Sequence, residues 1–149
     1  LRALLPLLRG ARVERRAGRE CHLGRIDGRD VVLVLCGIGK VAAATTTAVL
    51  LDGLDVRAVL LTGVAGGLRA AVRVGDVVIA GTLLQHDMDA SPLFPRYEVP
   101  LTGLSRFPAD AAICDALAAH PDKTRVRARA TRSSDVQESD EASSEDSAP

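Results

Sequence analysis

Residues 59–80 read V-L-L-T-G-V-A-G-G-L-R-A-A-V-R-V-G-D-V-V-I-A, and the rest of the chain is interpreted from this segment. An apolar run at each end flanks a turn of glycine and other small residues, which predicts a strand, a loop and a second strand. Gly63, Gly66 and Gly67 have no side chain and permit positive φ, so a ligand can approach the backbone there. The alternative is a tight turn whose glycines serve only the backbone.

A second pair of glycines lies upstream, in residues 36–53, C-G-I-G-K-V-A-A-A-T-T-T-A-V-L-L-D-G. The pattern predicts a helix of small residues that ends near Gly53. Its first N–H groups, with Lys40 beside them, form a natural site for an anion or a polar ligand. Alternatively, Gly37 and Gly39 only let the helix pack tightly on a sheet. Neither a complete dinucleotide fingerprint nor a P-loop pattern is present.

Strands are predicted on both sides of that helix. Asp27-Gly28 is a two-residue turn of the kind that joins antiparallel strands, here residues 22–26 and the run V-V-L-V-L-C at 31–36. Because this run has no polar alternation, we expect a strand that is covered on both faces. With a strand at 59–61 after the helix, the segment predicts a right-handed βαβ crossover.

The chain begins at an apolar run, L-R-A-L-L-P-L-L, that is too short to span a bilayer. We expect it to be part of a helix whose beginning is missing. Pro6 is compatible with that helix only in its first turn or at a kink.

Three prolines in residues 81–103 predict a long loop after a strand, and loops of this length are usually functional or mobile. His86, Asp87 and Asp89 raise the hypothesis of a metal or acid–base site. A hydrogen-bonded strand end is the favoured interpretation, because no second cluster of such residues accompanies them.

Composition excludes several classes of function. The chain of 149 residues has 19 basic and 19 acidic side chains, so net charge does not point to nucleic acid or to a membrane surface. Aromatic residues make up 2% of the chain, which disfavours base-stacking platforms. The three cysteines have no metal-ligand spacing, so we expect free thiols in a reducing cytoplasm, with neither a disulfide framework nor bound zinc.

The composition changes at Asp122, which divides the chain into two predicted regions. Residues 1–121 are predicted to form one α/β region that ends in a helix over 108–119. Residues 122–149 combine a basic run with an acidic, Ser-rich run and have few apolar side chains, which predicts disorder. A separate hypothesis is that this tail is an unrelated or out-of-frame extension.

Three motifs occur in a specific order: C-G-I-G-K-V-A-A-A from residue 36, T-G-V-A-G-G-L from residue 62 and V-G-D-V-V-I-A from residue 74. A strand ending in H-D-x-D follows them. Together they resemble the purine nucleoside phosphorylase and nucleosidase superfamily, and most closely its 5'-methylthioadenosine/S-adenosylhomocysteine nucleosidase family. The resemblance covers residues 1–120 and is strongest over 31–89.

The resemblance implies a phosphorylase/nucleosidase fold, a three-layer α/β sandwich around a mixed, partly barrel-like sheet, here only its N-terminal half. The implied reaction is hydrolysis of the N-ribosidic bond of an adenine nucleoside, which releases adenine without a cofactor or a metal. A homodimer is implied for the complete protein, because the loop at 94–97 resembles one that reaches the neighbouring subunit's site. Asp76 resembles a residue that ties its own loop.

Carried over residue by residue, the family pattern implies substrate-binding positions but no catalytic residue in this chain. Gly66 and Ala65 resemble backbone that contacts the purine, Ile38 a wall beside the thioribose, and Ala90 a residue that lines the base pocket. Val64 stands where these nucleosidases often have a serine that hydrogen-bonds in the site.

The departures from the family pattern lead us to expect an inactive fragment. The water-activating glutamate would precede Leu1, and the chain diverges before the ribose-binding and acid residues. The loss of one hydrogen bond at Val64 is worth roughly 0.5 to 1.5 kcal/mol, whereas each missing acid or base is worth about 10²- to 10⁴-fold in rate. A purine nucleoside phosphorylase and a non-catalytic purine-binding module remain the alternatives.

Overall fold

A computed structural model describes residues 1–68 and 70–119, together with the backbone of 126–129. The chain divides into two compact units, Leu1–Val64 and a second unit that begins at Ala65. Helices and strands occur in both units, so the α/β class is confirmed. Within the described residues no helix is both long enough and apolar enough to cross a membrane.

The first unit is an antiparallel meander followed by one helix. Its elements are a 3-10 turn at Leu5–Leu7, β1 at Arg9–Arg16, β2 at Arg19–Ile26, β3 at Arg29–Val34 and α1 at Lys40–Gly53. β2 pairs with β1 on one side and with β3 on the other. The helix predicted to end near Gly53 is therefore confirmed.

Both connections of the meander are two-residue turns in which both residues have positive φ. Asp27 and Gly28 have φ of 49° and 77°, so the predicted hairpin is confirmed. Ala17 and Gly18 have φ of 44° and 77°, the same geometry. The second turn was not predicted from the sequence, because alanine rarely adopts positive φ.

A small hydrophobic core packs on one face of the meander. Leu8, Cys21 and Leu23 are buried, and the last two alternate along β2 as one face of a strand requires. Gly24 lets Leu8 approach, because a Cβ on Gly24 would lie 2.7 Å from Leu8 Cγ and 2.8 Å from the Arg9 carbonyl oxygen. The register of β1 shifts between Arg9 and Arg12, where the strand passes this contact.

Charged side chains line the edge of β1 on the same face of the sheet. Glu14 pairs in register with the buried Cys21, and its carboxylate accepts hydrogen bonds from Arg16 Nη2 at 2.7 Å and Nε at 3.1 Å. Arg16 Nη1 also donates to the Gly53 carbonyl oxygen at 3.2 Å. Arg16 thus places positive charge at the C-terminus of α1, where the helix dipole favours it.

The structure corrects two predictions for the first unit. The apolar N-terminus is a three-residue 3-10 turn with Pro6 in its first turn, and the chain then turns to strand because β1 pairs with β2. β3 ends at Val34 and its residues 31–34 are half-buried, so the strand is not covered on both faces.

A third correction concerns residues 59–61, which form no strand. They have no ladder partner among the described residues, and Leu61 is 78% exposed. A strand exists only where a neighbour satisfies its backbone groups, so apolar periodicity alone does not form one. The predicted βαβ crossover is therefore absent from the described structure.

The described residues of the second unit form four short strands and one helix. They are β4 at Val77–Ala80, β5 at Thr82–Leu84, β6 at Arg106–Pro108, α2 at Ala111–Ala119 and β7 at Val126–Arg129. β4 pairs in parallel with β7, and β5 pairs antiparallel with β6, so parallel and antiparallel pairing both occur. Strand structure after residue 74 was predicted and is confirmed.

Two boundaries in the second unit differ from the sequence interpretation. α2 begins at Ala111, after Asp110, whose Oδ1 accepts a hydrogen bond from Ile113 N at 2.9 Å and so caps the helix. Val126–Arg129, within the segment predicted to be disordered, forms β7. The rest of that predicted tail lies outside the described residues.

Candidate functional site

The candidate residues are distributed over the two units. Ile38 and Val64 belong to the first unit, while Ala65, Gly66 and Ala90 belong to the second. Each group is therefore described within its own unit.

The turn between β3 and α1 presents backbone to solvent. Gly37 and Gly39 have φ of 86° and 94°, which side chains rarely allow, so these two glycines are required by the conformation. Ile38 between them is fully exposed. Gly39 is the N-cap of α1 and offers no side chain to the first helical N–H groups.

Thr46 of α1 contacts the residue that precedes this turn. It is 3% exposed and its Oγ1 donates to two carbonyl oxygens, that of Ala42 at 2.7 Å and that of Cys36 at 3.4 Å. The first acceptor lies in α1 itself. The second lies directly before Gly37, so the hydroxyl connects the helix to the entrance of the turn.

The glycine-rich stretch after α1 is irregular and open. Gly63 and Gly66 have no atom within 4 Å of the position that a Cβ would take, and neither adopts positive φ. Nothing in the described part of the protein therefore prevents a side chain at these two positions. The space beside the Gly66 backbone is open, and the nearby Val64 side chain is fully exposed.

The far end of the same stretch is closed by two local contacts. A Cβ on Gly67 would lie 3.2 Å from Val72 Cγ1, so this glycine permits close packing. Asp76 Oδ2 accepts a hydrogen bond from Arg73 N at 3.0 Å, and Asp76 N donates to the Arg73 carbonyl oxygen at 3.0 Å. The structural role expected for Asp76 is confirmed.

Ala90 starts a compact loop between β5 and β6. Its carbonyl oxygen accepts hydrogen bonds from Leu93 N at 3.1 Å and from Phe94 N at 3.2 Å. The following segment folds back, since Tyr97 N donates to the Met88 carbonyl oxygen at 2.9 Å. The Arg96 guanidinium lies 4.8 Å from the centre of the Tyr97 ring, within the range of a cation–π contact.

Asp89 is a structural residue of this loop. Its Oδ1 accepts hydrogen bonds from Ser91 Oγ at 2.6 Å and Ser91 N at 3.1 Å, and these bonds lower the pKa of the Asp89 carboxyl. A carboxylate held in its charged form suits an Asx turn better than a proton donor. Among residues 1–68 and 70–119, no group of three or more acidic, His or Cys side chains is placed to hold a metal.

The two glycine turns expose backbone and carry few groups suited to bond cleavage. Their sequences, G-I-G-K from residue 37 and G-V-A-G-G-L from residue 63, contain no carboxylate and no imidazole. What they offer is exposed backbone N–H and C=O groups beside small apolar side chains, which suits a planar heterocycle.

Sequence reasoning missed Thr46. It is the middle of three consecutive threonines, and nothing in the letters distinguishes it from its neighbours. The signal that was available is its position four residues after Ala42, on the helix face that also carries the half-buried Val49 and Leu50. A polar residue on an apolar face is expected to hold a partner.

Three comparisons with known proteins agree with one another. The sequence pattern of the phosphorylase superfamily matches residues 2–137, which passes the change of composition at Asp122. A 5'-methylthioadenosine/S-adenosylhomocysteine nucleosidase of Colwellia psychrerythraea is 48% identical over 82 residues, which are 55% of this chain and 34% of that protein.

Two solved structures share the fold. The adenine complex of the Colwellia psychrerythraea nucleosidase has a TM-score of 0.77 at 33% identity, over 86% of this chain and 54% of that one. The Neisseria meningitidis nucleosidase in complex with methylthio-immucillin-A has a TM-score of 0.79 at 29% identity, over 85% and 56%. The chain thus spans between a third and a half of the length of the curated relatives it matches.

Proposed function

The chain belongs to the phosphorylase superfamily, and from that premise we propose that it forms the purine-binding part of a 5'-methylthioadenosine/S-adenosylhomocysteine nucleosidase. The whole protein would hydrolyse the N-ribosidic bond of these nucleosides and release adenine, as expected for methionine salvage. The observation that carries the proposal is the similarity to these nucleosidases: one relative is 48% identical over 82 residues, and the structure of an adenine complex has a TM-score of 0.77 over 86% of this chain.

The stretch around Gly66 would hold the base. Open space around Gly66 and a backbone without positive φ let a planar ring lie against the main chain, with N–H and C=O groups at the ring's edge. Ala65 adds a small apolar side chain beside it. Ala90, whose carbonyl oxygen is already engaged by two N–H groups, would line the pocket through its methyl group only.

The turn after β3 would face the sugar. Ile38 is apolar, fully exposed and held between two glycines of positive φ, which suits contact with a methylthio group. Val64 would contribute apolar contact but no hydrogen bond. The absence of a hydroxyl at this position disfavours the phosphorylase alternative, because an anion would find no side-chain donor there.

The complete protein would have the three-layer α/β sandwich of the phosphorylase/nucleosidase fold and would act as a homodimer in the cytoplasm. The three free thiols support a reducing compartment. The compact loop with Arg96 and Tyr97, which presents a cation over an aromatic ring, is the segment proposed to reach a neighbouring subunit.

The test uses a matched pair of glycine substitutions. Gly66→Ala and Gly63→Ala each add a methyl group into open space and should leave the folded chain unchanged in stability. A methyl group at Gly66 would hold the ring away from the backbone, so adenine should bind about tenfold more weakly, consistent with the loss of one or two hydrogen bonds. Gly63→Ala should bind as the unsubstituted chain does.

Equilibrium dialysis with adenine, followed by a thermal shift assay, measures both quantities. Equal affinity in the two variants would contradict the assignment of Gly66 to the base. Adenine release from methylthioadenosine that requires added phosphate would favour a phosphorylase instead, and saturable binding without turnover by the complete protein would favour a purine-binding module.

A further inference from the structure

We propose that Thr46 is a positioning residue for the turn at residues 37–39. Its hydroxyl holds the Cys36 carbonyl oxygen and thereby fixes the direction in which Ile38 points. The inference rests on the proposed function, since the purpose assigned to this turn is contact with the sugar side of the nucleoside. Thr46 lies just after the motif that begins at Cys36, as one of three consecutive threonines, and the motif implies no role for it.

The three consecutive threonines of α1 make the contrast. Thr45 Oγ1 donates to the Val41 carbonyl oxygen at 2.8 Å and Thr47 Oγ1 to that of Ala43 at 2.9 Å, so each bonds one turn back within the helix. Thr46 makes the same bond to Ala42 at 2.7 Å and in addition reaches Cys36 at 3.4 Å.

Burial strengthens the second contact. Thr46 is 3% exposed, whereas Thr45 is exposed and Thr47 is half-buried. The threonine side of the contact with the half-buried Cys36 is shielded from water, and such shielding strengthens a hydrogen bond electrostatically. The shared proton of the Thr46 hydroxyl is therefore an effective link between α1 and the end of the preceding strand.

A link at each end of the turn restricts its backbone. Its two glycines have large conformational freedom, which must be removed for Ile38 to hold one direction. The Ala43 N to Gly39 O bond at 3.1 Å fixes only the end of the turn that enters α1. The contact of Thr46 with Cys36 fixes the other end.

A set of four variants separates this link from the stability of the helix. Thr46→Val keeps the shape and removes the hydroxyl, and Thr46→Ser restores the hydroxyl without the methyl group. Thr47→Val and Thr45→Val remove hydroxyls that bond only within α1. Any general effect of valine on the helix therefore appears in all three valine variants.

Hydrogen exchange of the full chain without ligand tests the link by itself. In Thr46→Val, the amide of Ala43, which donates to the Gly39 carbonyl oxygen at the end of the turn, should exchange roughly threefold to tenfold faster, which corresponds to the loss of one hydrogen bond. Thr46→Ser should restore the slower exchange of the Ala43 amide, and Thr47→Val should leave it unchanged. Equal exchange in Thr46→Val and Thr47→Val would overturn the inference.

Ligand affinity tests the purpose of the link. Because Ile38 is assigned to the sugar side, Thr46→Val should weaken methylthioadenosine binding roughly threefold to tenfold and adenine binding much less. Equal losses for both ligands would indicate a merely structural residue and would overturn the positioning role. If the unsubstituted chain bound neither ligand, the proposed function would fail and the ligand role of Thr46 with it, while the exchange result would still decide whether the link exists.

Discussion

The β1–β3 meander and the glycine-rich stretch of residues 59–76 form two contrasting regions. In the meander, each central residue of β2 pairs with a residue of β1 or β3, and both turns are two residues long. In the stretch, the described backbone forms no ladder and the side chains of Val64, Leu68 and Val74 are fully exposed. The unpaired stretch is the more apolar of the two regions, so hydrophobicity alone does not explain the difference.

Strand pairing in the two regions depends on sequence information at different distances along the chain. A turn such as Asp27-Gly28 brings its own strands together, and each strand satisfies the other's backbone groups at once. The run at 59–61 contains no turn that returns it to a neighbour, so its pairing depends on a distant segment. A region left unpaired keeps its N–H and C=O groups available, which is what a ligand-binding backbone needs.

Among these substitutions, Gly24→Ala should have the largest effect on the stability of the meander. A methyl group there meets Leu8 Cγ at 2.7 Å and the Arg9 carbonyl oxygen at 2.8 Å, and the second atom is backbone that cannot move alone. Gly24→Ala should therefore lower the free energy of unfolding by about 1 to 3 kcal/mol. Gly63→Ala, which adds the same group into open space, is the control. Urea unfolding measures both, and equal stabilities would contradict this packing.

The turn at Gly28 should show a smaller effect. Gly28 has φ of 77° with open space around it, so Gly28→Ala introduces backbone strain and no clash. We expect a loss of about 1 kcal/mol, and a smaller loss in Gly28→Asn because asparagine tolerates this conformation. If alanine and asparagine were equally tolerated in thermal unfolding, the turn would not be the element that sets the register.

The edge of β1 should show the smallest effect, visible as a pH dependence. The hydrogen bond from Arg16, with Arg12 nearby, lowers the pKa of Glu14 from its ordinary value of 4.5. A carboxyl whose pKa falls on folding stabilises the folded state above 4.5, and this contribution is lost as the pH falls through the folded value. Glu14→Gln should therefore lose less stability on acidification, in pH-dependent thermal unfolding. An identical pH profile in the two proteins would contradict the pairing.

The sequence predicted those elements whose signal is local. Asp27-Gly28 specifies a hairpin through its own φ angles, and small residues between Gly39 and Gly53 specify α1 through propensity and boundary glycines. The run at 59–61 was misjudged because strand formation depends on a partner. β1 was missed because Arg-rich residues lack an alternating apolar pattern, and its pairing with β2 overrides weak local preference.

The candidate site was predictable as a set of turns, but the conformation of each turn was not. Glycine marks where backbone can be exposed, yet positive φ occurs at Gly37 and Gly39 and not at Gly66. The contact of Thr46 with the Cys36 carbonyl oxygen was not predicted, because it depends on which face of α1 lies toward Cys36. The family motifs proposed the residues, and the geometry distinguishes glycines required by conformation from those that leave space.

The proposed function assigns the base of an adenine nucleoside to residues 63–68 and assigns no ligand contact to the strands of the meander. Hydrogen exchange of the full chain with and without saturating adenine tests it most directly, with residues 63–68 compared against Arg19–Ile26. Adenine should slow hydrogen exchange in residues 63–68 and leave the exchange of Arg19–Ile26 unchanged. Unchanged exchange in residues 63–68 at a saturating adenine concentration, or protection confined to the meander, would contradict it.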